Sequence, residues 1–303
     1  MNWILLNRYK ILVKGKKSKL NLKGVNEEHK AFLHNILSND IVNLESGKFN
    51  YNLMLDSKGS VLSDFFVYND ENTYILDTEE DPFQTIEKLN KLKLSLQVSF
   101  EVLPSKHIYI FGDNAEEFIK SLGLNVEKFS FKKNNGYYVA NNPLRLGMNG
   151  YDIFGDIESV LNLLNSKDEI SPQDFEDLRI KNCIPKVKKE LKENILPLET
   201  NIWKYAISLN KGCYVGQEAI ARVYYRGKPP RVMAKFLINK NIKEEDKIVF
   251  EGKNIGIITS ITSDGKSGLG FILRAKAQEG KDYDGIILEK VCEELNVWKG
   301  DFR

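Results

Sequence analysis

Apolar positions along the chain follow two spacings. Short runs rich in Ile, Val, Leu, Phe and Tyr read as strands: 9-YKILVK-14, 19-KLNLK-23, 51-YNLML-55, 61-VLSDFFVY-68, 73-TYILD-77, residues 97–103 and 107–111, 137-YYVA-140 and 144-LRLGM-148. Segment 56-DSKG-59 joins two of these runs as a hairpin turn. Elsewhere the spacing lengthens to three and four. It predicts a helix from Asn26 as N-cap to about Leu37, with Phe32, Leu33, Ile36 and Leu37 on one side. Further helices are expected from Pro82, with Phe83, Ile86 and Leu89 on one face; from Asp113, with Glu116 at N3 and Gly123 past the end; from Asp156 through Leu164; and at Ser171-Pro172.

From about Arg231 only strand spacing remains, in 232-VMAKFLI-238, 247-KIVFEG-252, 255-IGIITSIT-262 and 269-LGFIL-273, with turns at Gly252 and 264-DGKSG-268. Short strands at this interval suggest a small barrel. Gly227 and 229-PP-230 mark the break before it, since proline removes backbone donors and resists continuing a helix or central strand. The expected class is α+β: a mixed part over residues 1–228, in two subdomains, and a C-terminal β-barrel over 229–303.

Composition narrows the options. Of 303 residues 42% are hydrophobic and 28% charged, the profile of a globular chain. The net charge of +2, from 44 basic and 42 acidic side chains, gives no footprint for nucleic acid, and no direct nucleic-acid contact is expected. No apolar run approaches the roughly 18–20 residues that span a bilayer, so no membrane association is expected either. Cys183, Cys213 and Cys292 are odd in number and widely spaced. They read as neither a disulfide framework nor a zinc site, and the chain as cytoplasmic and reduced. His29, His34 and His107 offer no metal-binding face, and no metal site is expected.

The richest chemistry lies in 211-KGCYVGQEAIARVYYRG-227. A thiol reacts mainly as thiolate, which a nearby cation or helix N-terminus favours. Lys211 offers the cation, Gly212 and Gly216 offer backbone freedom, and helix-forming residues follow Cys213 closely. Tyr214 could stack, while Gln217 and Glu218 could bind a ligand. A small thiol buried in a tight turn is the plainer alternative.

Lys211, Gly212, Cys213, Tyr214, Gly216, Gln217, Glu218 and Arg222 together match K-G-C-Y-x-G-Q-E followed by Arg. This resembles the signature of YgfZ-type folate-binding proteins, relatives of the glycine-cleavage aminomethyltransferase (GcvT) that include a mitochondrial iron–sulfur assembly factor. Three other stretches are similar to the family: 38-SNDIVNL-44, the hairpin 54-MLDSKGSVLSDFFVY-68, and 196-LPLETNIWKYAISLNKGCY-214. Asp64 falls where the aminomethyltransferases carry the aspartate of their folate chemistry, with Ser63 in place of a preceding acid. The family's R-x-E-A-G appears as 179-RIKNC-183, with Lys181 at the acid and Cys183 at the glycine.

The resemblance implies a clover-leaf of α+β subdomains around a central folate site, with the C-terminal barrel packed against it. It implies Cys213 as the functional thiol, for which the charge of Lys211 would serve as activator. Asp64, Asn39, Arg179, Glu199, Tyr214, Gln217, Glu218 and Arg222 are the implied contacts for tetrahydrofolate or a derivative. A cation at 181 cannot accept the N–H groups of a pterin, so weakened folate affinity is expected. The implied role is accessory to iron–sulfur enzymes, with iron–sulfur assembly proteins or client [4Fe–4S] enzymes as partners. A tetrahydrofolate-dependent aminomethyltransferase is the alternative.

Overall fold

Three five-stranded antiparallel sheets organise the chain in a computed structural model that describes residues 1–22, 25–71 and 73–295. Lys23, at the end of the second expected strand, and residues 296–303 of the C-terminal part lie outside that description. The first sheet runs β5 (Phe49–Leu55), β6 (Val61–Asp70), β7 (Thr73–Thr78), β2 (Tyr9–Gly15), β8 (Val98–Leu103). Its strands carry apolar residues on both faces because both are covered. One face packs on α1 (Glu28–Ile36) and α2 (Pro82–Leu92), burying Ile11, Val13, Phe32, Leu33, Phe65, Val67 and Leu89 in one cluster. The other face contributes Tyr51, Phe66 and Tyr68 to a larger cluster that also holds Phe154, Ile202 and Tyr214. A short ribbon of β3 (Lys17–Leu22) and β4 (Val25–Glu27) precedes α1.

The second sheet runs β1 (Asn2–Leu5), β9 (Lys106–Phe111), β12 (Gly150–Gly155), β11 (Tyr137–Asn141), β10 (Phe131–Asn134). Its core of Ile108, Ile110, Val139 and Ile153 is closed by Ile119 of α3 (Ala115–Ser121) and Val160 of α4 (Glu158–Leu161). The third sheet is β14 (Lys247–Phe250), β15 (Lys253–Ile261), β16 (Ser267–Leu273), β13 (Arg231–Ile238), β17 (Ile286–Val291), around Val232, Phe236, Ile258, Ile272 and Leu288. Helix α5 (Pro172–Lys181) packs against β15 and β16, while α6 (Trp203–Ala206) and α7 (Gln217–Arg226) lie between the second and third sheets in the chain order.

Several local expectations change. Residues 144–148 form no strand: Asn142 caps a 3₁₀ turn over Pro143–Arg145, and the strand follows as β12. Pro143 and Gly147 break a run whose Leu144–Leu146 alternation imitates a strand. Asn26 lies within β4, and α1 begins at Glu28 without a side-chain cap. Helix α3 is preceded by Asn114 rather than Asp113, and α4 spans only Glu158–Leu161 with Ile157 before it. Ser171 does cap α5, accepting from the backbone N–H of Asp174.

The largest correction concerns cysteine. Cys183 and Cys292 are joined as a disulfide, Cα–Cα 6.0 Å, across 109 residues of sequence. It links the end of α5 to the segment after β17, inside a cluster with Ile180, Met233 and Phe271. Spacing along the chain could not show this pairing, because the third sheet returns Cys292 to α5 only once folded. Such a bond departs from the expected fully reduced chain. Among the described residues no helix is long and apolar enough to cross a membrane.

Candidate functional site

The antiparallel register brings one row of polar residues onto the inner face of the first sheet. Tyr51 pairs with Phe66, Phe66 with Asp77, and Asp77 with Lys10. Asp64 stands two residues from Phe66, and Arg8 two residues before Lys10, so alternation puts both on the same face. They line a cleft of about 350 Å³ whose walls include Leu144, Arg145, Phe175, Ile184 and Ile202, with Glu79, Glu80 and Lys186 also lining it.

Beneath the cleft lies a buried ion network. Asp77 is fully buried and accepts from Arg8 Nε at 2.8 Å, Lys10 Nζ at 2.8 Å and Arg145 Nη2 at 2.7 Å. Lys10 also meets His107 Nδ1 at 2.9 Å, and His107 Nε2 meets Asp152 at 2.9 Å. Asp152 accepts from Arg145 Nε and from Asn142. Burial pushes the Asp77 carboxyl upward, but Arg8, Lys10 and Arg145 overcome this and hold it well below the usual range. Burial lowers Lys10 to about 8, against the pull of Asp77. Burial and then the Lys10 charge lower His107 to about 4. The guanidinium groups of Arg145 and Arg8 lie 4.6 and 5.7 Å from the centroid of the Phe66 ring, which joins the network to the cleft.

Asp64 accepts from the Tyr51 hydroxyl at 2.7 Å on Oδ2. Burial raises its pKa, Arg8 opposes that, and Glu79 adds to it. A carboxyl so placed can accept ligand N–H groups or exchange a proton nearer neutrality than an ordinary aspartate.

Of the residues expected to contact a cofactor, only Asp64 and Arg179 line this cleft. Arg179 is committed to structure: Nη1 donates to Ile184 O at 2.6 Å and Glu190 at 2.9 Å, and Nη2 to Glu176 at 2.6 Å and Ser260 at 2.8 Å. It ties α5 to the loop at 184–190 and to β15. Asn39 lies outside the cleft lining. Its amide donates to the carbonyls of Tyr51 and Tyr205 and fixes the segment after α1. Glu199 pairs with Arg231 at 2.7 Å and lines a different cleft with Trp203 and Cys292. Lys181 is exposed and lines a small cleft with Lys235 and Lys290, so the expected pterin-edge position does not face Asp64. Helix geometry explains this, since Arg179 and Lys181 lie two residues apart on α5 and point to different sides.

The cysteine loop is built differently. Lys211 is buried, and its ammonium donates to the carbonyls of His34 at 2.6 Å, Leu37 at 2.6 Å and Asn39 at 2.8 Å. Those three bonds use its three N–H groups at the C-terminal end of α1, where a cation is favoured. The bonds of Lys211 thus anchor the loop, a use apart from the expected activation of the thiol. Its ammonium also lies 4.9 Å from the centroid of the buried Tyr214 ring. Gly216 has φ +84°, and a Cβ there would meet Asp56 O at 2.6 Å and Leu55 Cβ at 2.9 Å. Only glycine lets the start of α7 dock on the β5–β6 turn, whose second strand carries Asp64. Cys213 stands exposed between these anchors. Glu218 and Arg222 pair at 2.7 Å on the exposed side of α7, and Tyr214 and Gln217 line a small separate cleft, so none of the four reaches Asp64.

Arg8, Glu79, Asp77 and Arg145 escaped the sequence reading. The signal was a charge in phase with the apolar face of a strand, Lys10 before Ile11 and Asp77 closing 73-TYILD-77.

No family model matches the chain. An uncharacterised protein of Aquifex aeolicus is 47% identical over 138 residues, covering 44% of this chain and 93% of that one. An aminomethyltransferase of Staphylococcus carnosus is 24% identical over 266 residues, 80% of this chain and 72% of that one. Among solved structures, the glycine cleavage system aminomethyltransferase T of Bartonella henselae superposes with TM-score 0.78 at 16% identity, covering 98% of this chain and 86% of that one. The chain thus has the fold of that aminomethyltransferase along nearly all of its length and is similar in sequence to aminomethyltransferases along most of it.

Proposed function

We propose that this protein binds tetrahydrofolate or a close derivative in the Asp64 cleft and serves the assembly or repair of iron–sulfur enzymes through the thiol of Cys213. The observation that carries this reading is the docking of the cysteine loop on the hairpin of the cleft. Gly216 lies against Leu55 and Asp56, so the exposed thiol and the β6 strand bearing Asp64 belong to one packed unit. The cleft suits a pterin: Phe66, Leu144, Phe175 and Ile184 give apolar walls, Asp64 gives an acceptor, and Arg145 a donor. Its partners would be iron–sulfur assembly proteins or client [4Fe–4S] enzymes.

Two measurements test this. Calorimetry with tetrahydrofolate should show binding that Asp64→Asn weakens by about tenfold, the worth of one charge-assisted hydrogen bond. Deletion of the gene should lower the activity of [4Fe–4S] enzymes while sparing glycine cleavage. A second reading, a tetrahydrofolate-dependent aminomethyltransferase, draws on the likeness to proteins of that name along most of the chain. Formation of methylenetetrahydrofolate with glycine-cleavage partners would favour it. We take the C-terminal part from residue 229 as a separate β domain.

A further inference from the structure

We infer that Arg145 determines ligand specificity in the Asp64 cleft by donating a hydrogen bond to a neutral carbonyl oxygen, the 4-oxo group of a reduced pterin. This rests on the folate reading above and names the residue that reads one edge of the ring.

Arg145 lines the cleft yet is only 9% exposed. Its Nε is held by Asp152 and its Nη2 by Asp77 at 2.7 Å. Among the described residues no hydrogen bond engages Nη1. A guanidinium fixed on two sides and open on the third is a donor of set direction. Asp64 presents the complementary half: Tyr51 takes Oδ2, and no hydrogen bond engages Oδ1 among the described residues. Phe66 connects the two. Its ring lies 4.6 Å from Arg145, and it stands two residues from Asp64 on the same strand face, a span of about 7 Å.

Charge decides what kind of acceptor fits. The charge of Arg145 itself is met on both bonded sides, by Asp152 at Nε and Asp77 at Nη2, so its remaining N–H group suits a neutral acceptor. The lining also carries Lys186, Lys188 and Lys189 on the loop at 184–190, so a phosphate or the carboxylates of a glutamate tail would be drawn to that loop rather than to Arg145. A neutral heterocycle presenting N–H donors beside a carbonyl in one plane meets both halves, its donors on Asp64 and its oxygen on Arg145. Replacing that carbonyl by an amino group would set N–H against N–H and leave a buried donor unpaired.

The test compares two ligand pairs by calorimetry on the full chain: tetrahydrofolate with its 4-amino-4-deoxy counterpart, and 6-methyltetrahydropterin with its own 4-amino counterpart. The 4-oxo member should bind at least about tenfold tighter in both pairs, and Arg145→Lys, shown folded by thermal unfolding, should reduce that preference to about threefold or less. Equal affinities in the unaltered protein would overturn the inference. So would a preference confined to the tailed pair, or one undiminished in Arg145→Lys. If that variant does not fold, the two pairs on the unaltered protein decide alone. If neither 4-oxo ligand binds the unaltered protein, the folate reading fails and this inference falls with it. Binding of both with no 4-oxo preference sinks this inference while leaving that reading intact.

Discussion

The floor of the Asp64 cleft and the Cys213 loop both carry polar chemistry, but they hold it in opposite ways. On the floor, every charged group is buried and shared: Asp77 alone takes Arg8, Lys10 and Arg145. In the loop, the anchoring groups are buried and the chemical group is not: Lys211 and Gly216 fix the backbone, and Cys213 is left exposed. The floor therefore gains rigidity from its functional residues, whereas the loop gains it from their neighbours. A substitution on the floor should alter fold and function together. In the loop the two should separate by residue.

The largest effect is expected at Asp77. Asp77→Ala leaves two guanidinium groups and an ammonium buried beside an uncompensated site, which costs about 3–5 kcal/mol of stability. Urea unfolding of the variant reads this directly. A loss below about 1 kcal/mol would mean that water or Asp152 compensates, and the floor would then be less rigid than the loop.

Next comes Lys211, where the motif's lysine tests the division within the loop. Lys211→Met removes three charge-assisted bonds and leaves the carbonyls of His34, Leu37 and Asn39 without their donor, a loss of about 2–4 kcal/mol. Alkylation of Cys213 in the folded variant should proceed at nearly the unaltered rate, since all three N–H groups point to carbonyls. A marked slowing with stability intact would restore Lys211 as the activator.

The sequence showed one of these regions far better than the other. The eight-position motif stood in a single stretch, so the loop was legible, but only as a set of residue types. Whether Lys211 faced the thiol or the end of α1 depended on where a helix some 175 residues earlier would lie. The floor was nearly invisible for the converse reason. Arg8, Asp64, Asp77, Arg145 and Asp152 come from five separate segments, brought together by register within the first sheet, by the 3₁₀ turn that carries Arg145 and by the meeting of the first two sheets. Strand placement was read well where a short apolar run stood between polar residues, as in β2 and β7, whose sheet is covered on both faces. It failed at 144–148, where Pro143 forced a turn on an apolar alternation. The Cys183–Cys292 link, closed across 109 residues, belongs to the same class of tertiary fact.

A milder effect separates the regions by pH. His107 is part of the floor, and its pKa falls from 6.5 to about 4 because burial and the Lys10 charge oppose its protonation. Between those values the unfolded chain takes up a proton that the folded chain refuses. Stability is thus full above about pH 6.5 and declines as pH falls toward 4, with close to one proton bound on unfolding. Asp77, held well below the usual carboxylate range, loses its contribution only at lower pH, outside that window. His107→Gln should flatten the slope of unfolding free energy against pH between 6.5 and 4. An unchanged slope would assign the uptake to another group.

The smallest effect on stability, and the sharpest on the proposed role, is expected at Cys213. Serine is nearly isosteric, and the position is exposed, so Cys213→Ser should change unfolding free energy by less than about 0.5 kcal/mol. Under native, non-reducing conditions the unaltered protein should incorporate one alkyl group, at Cys213, while Cys183 and Cys292 stay silent until the chain is reduced and unfolded. The variant should incorporate none. Introduced into a deletion strain, it should accumulate normally yet fail to restore [4Fe–4S] enzyme activity. Full rescue would remove the thiol from the proposed function and leave the loop as a structural strap over the β5–β6 turn. Failed rescue with intact tetrahydrofolate binding would show that the cleft and the thiol are separate functional parts of one packed unit.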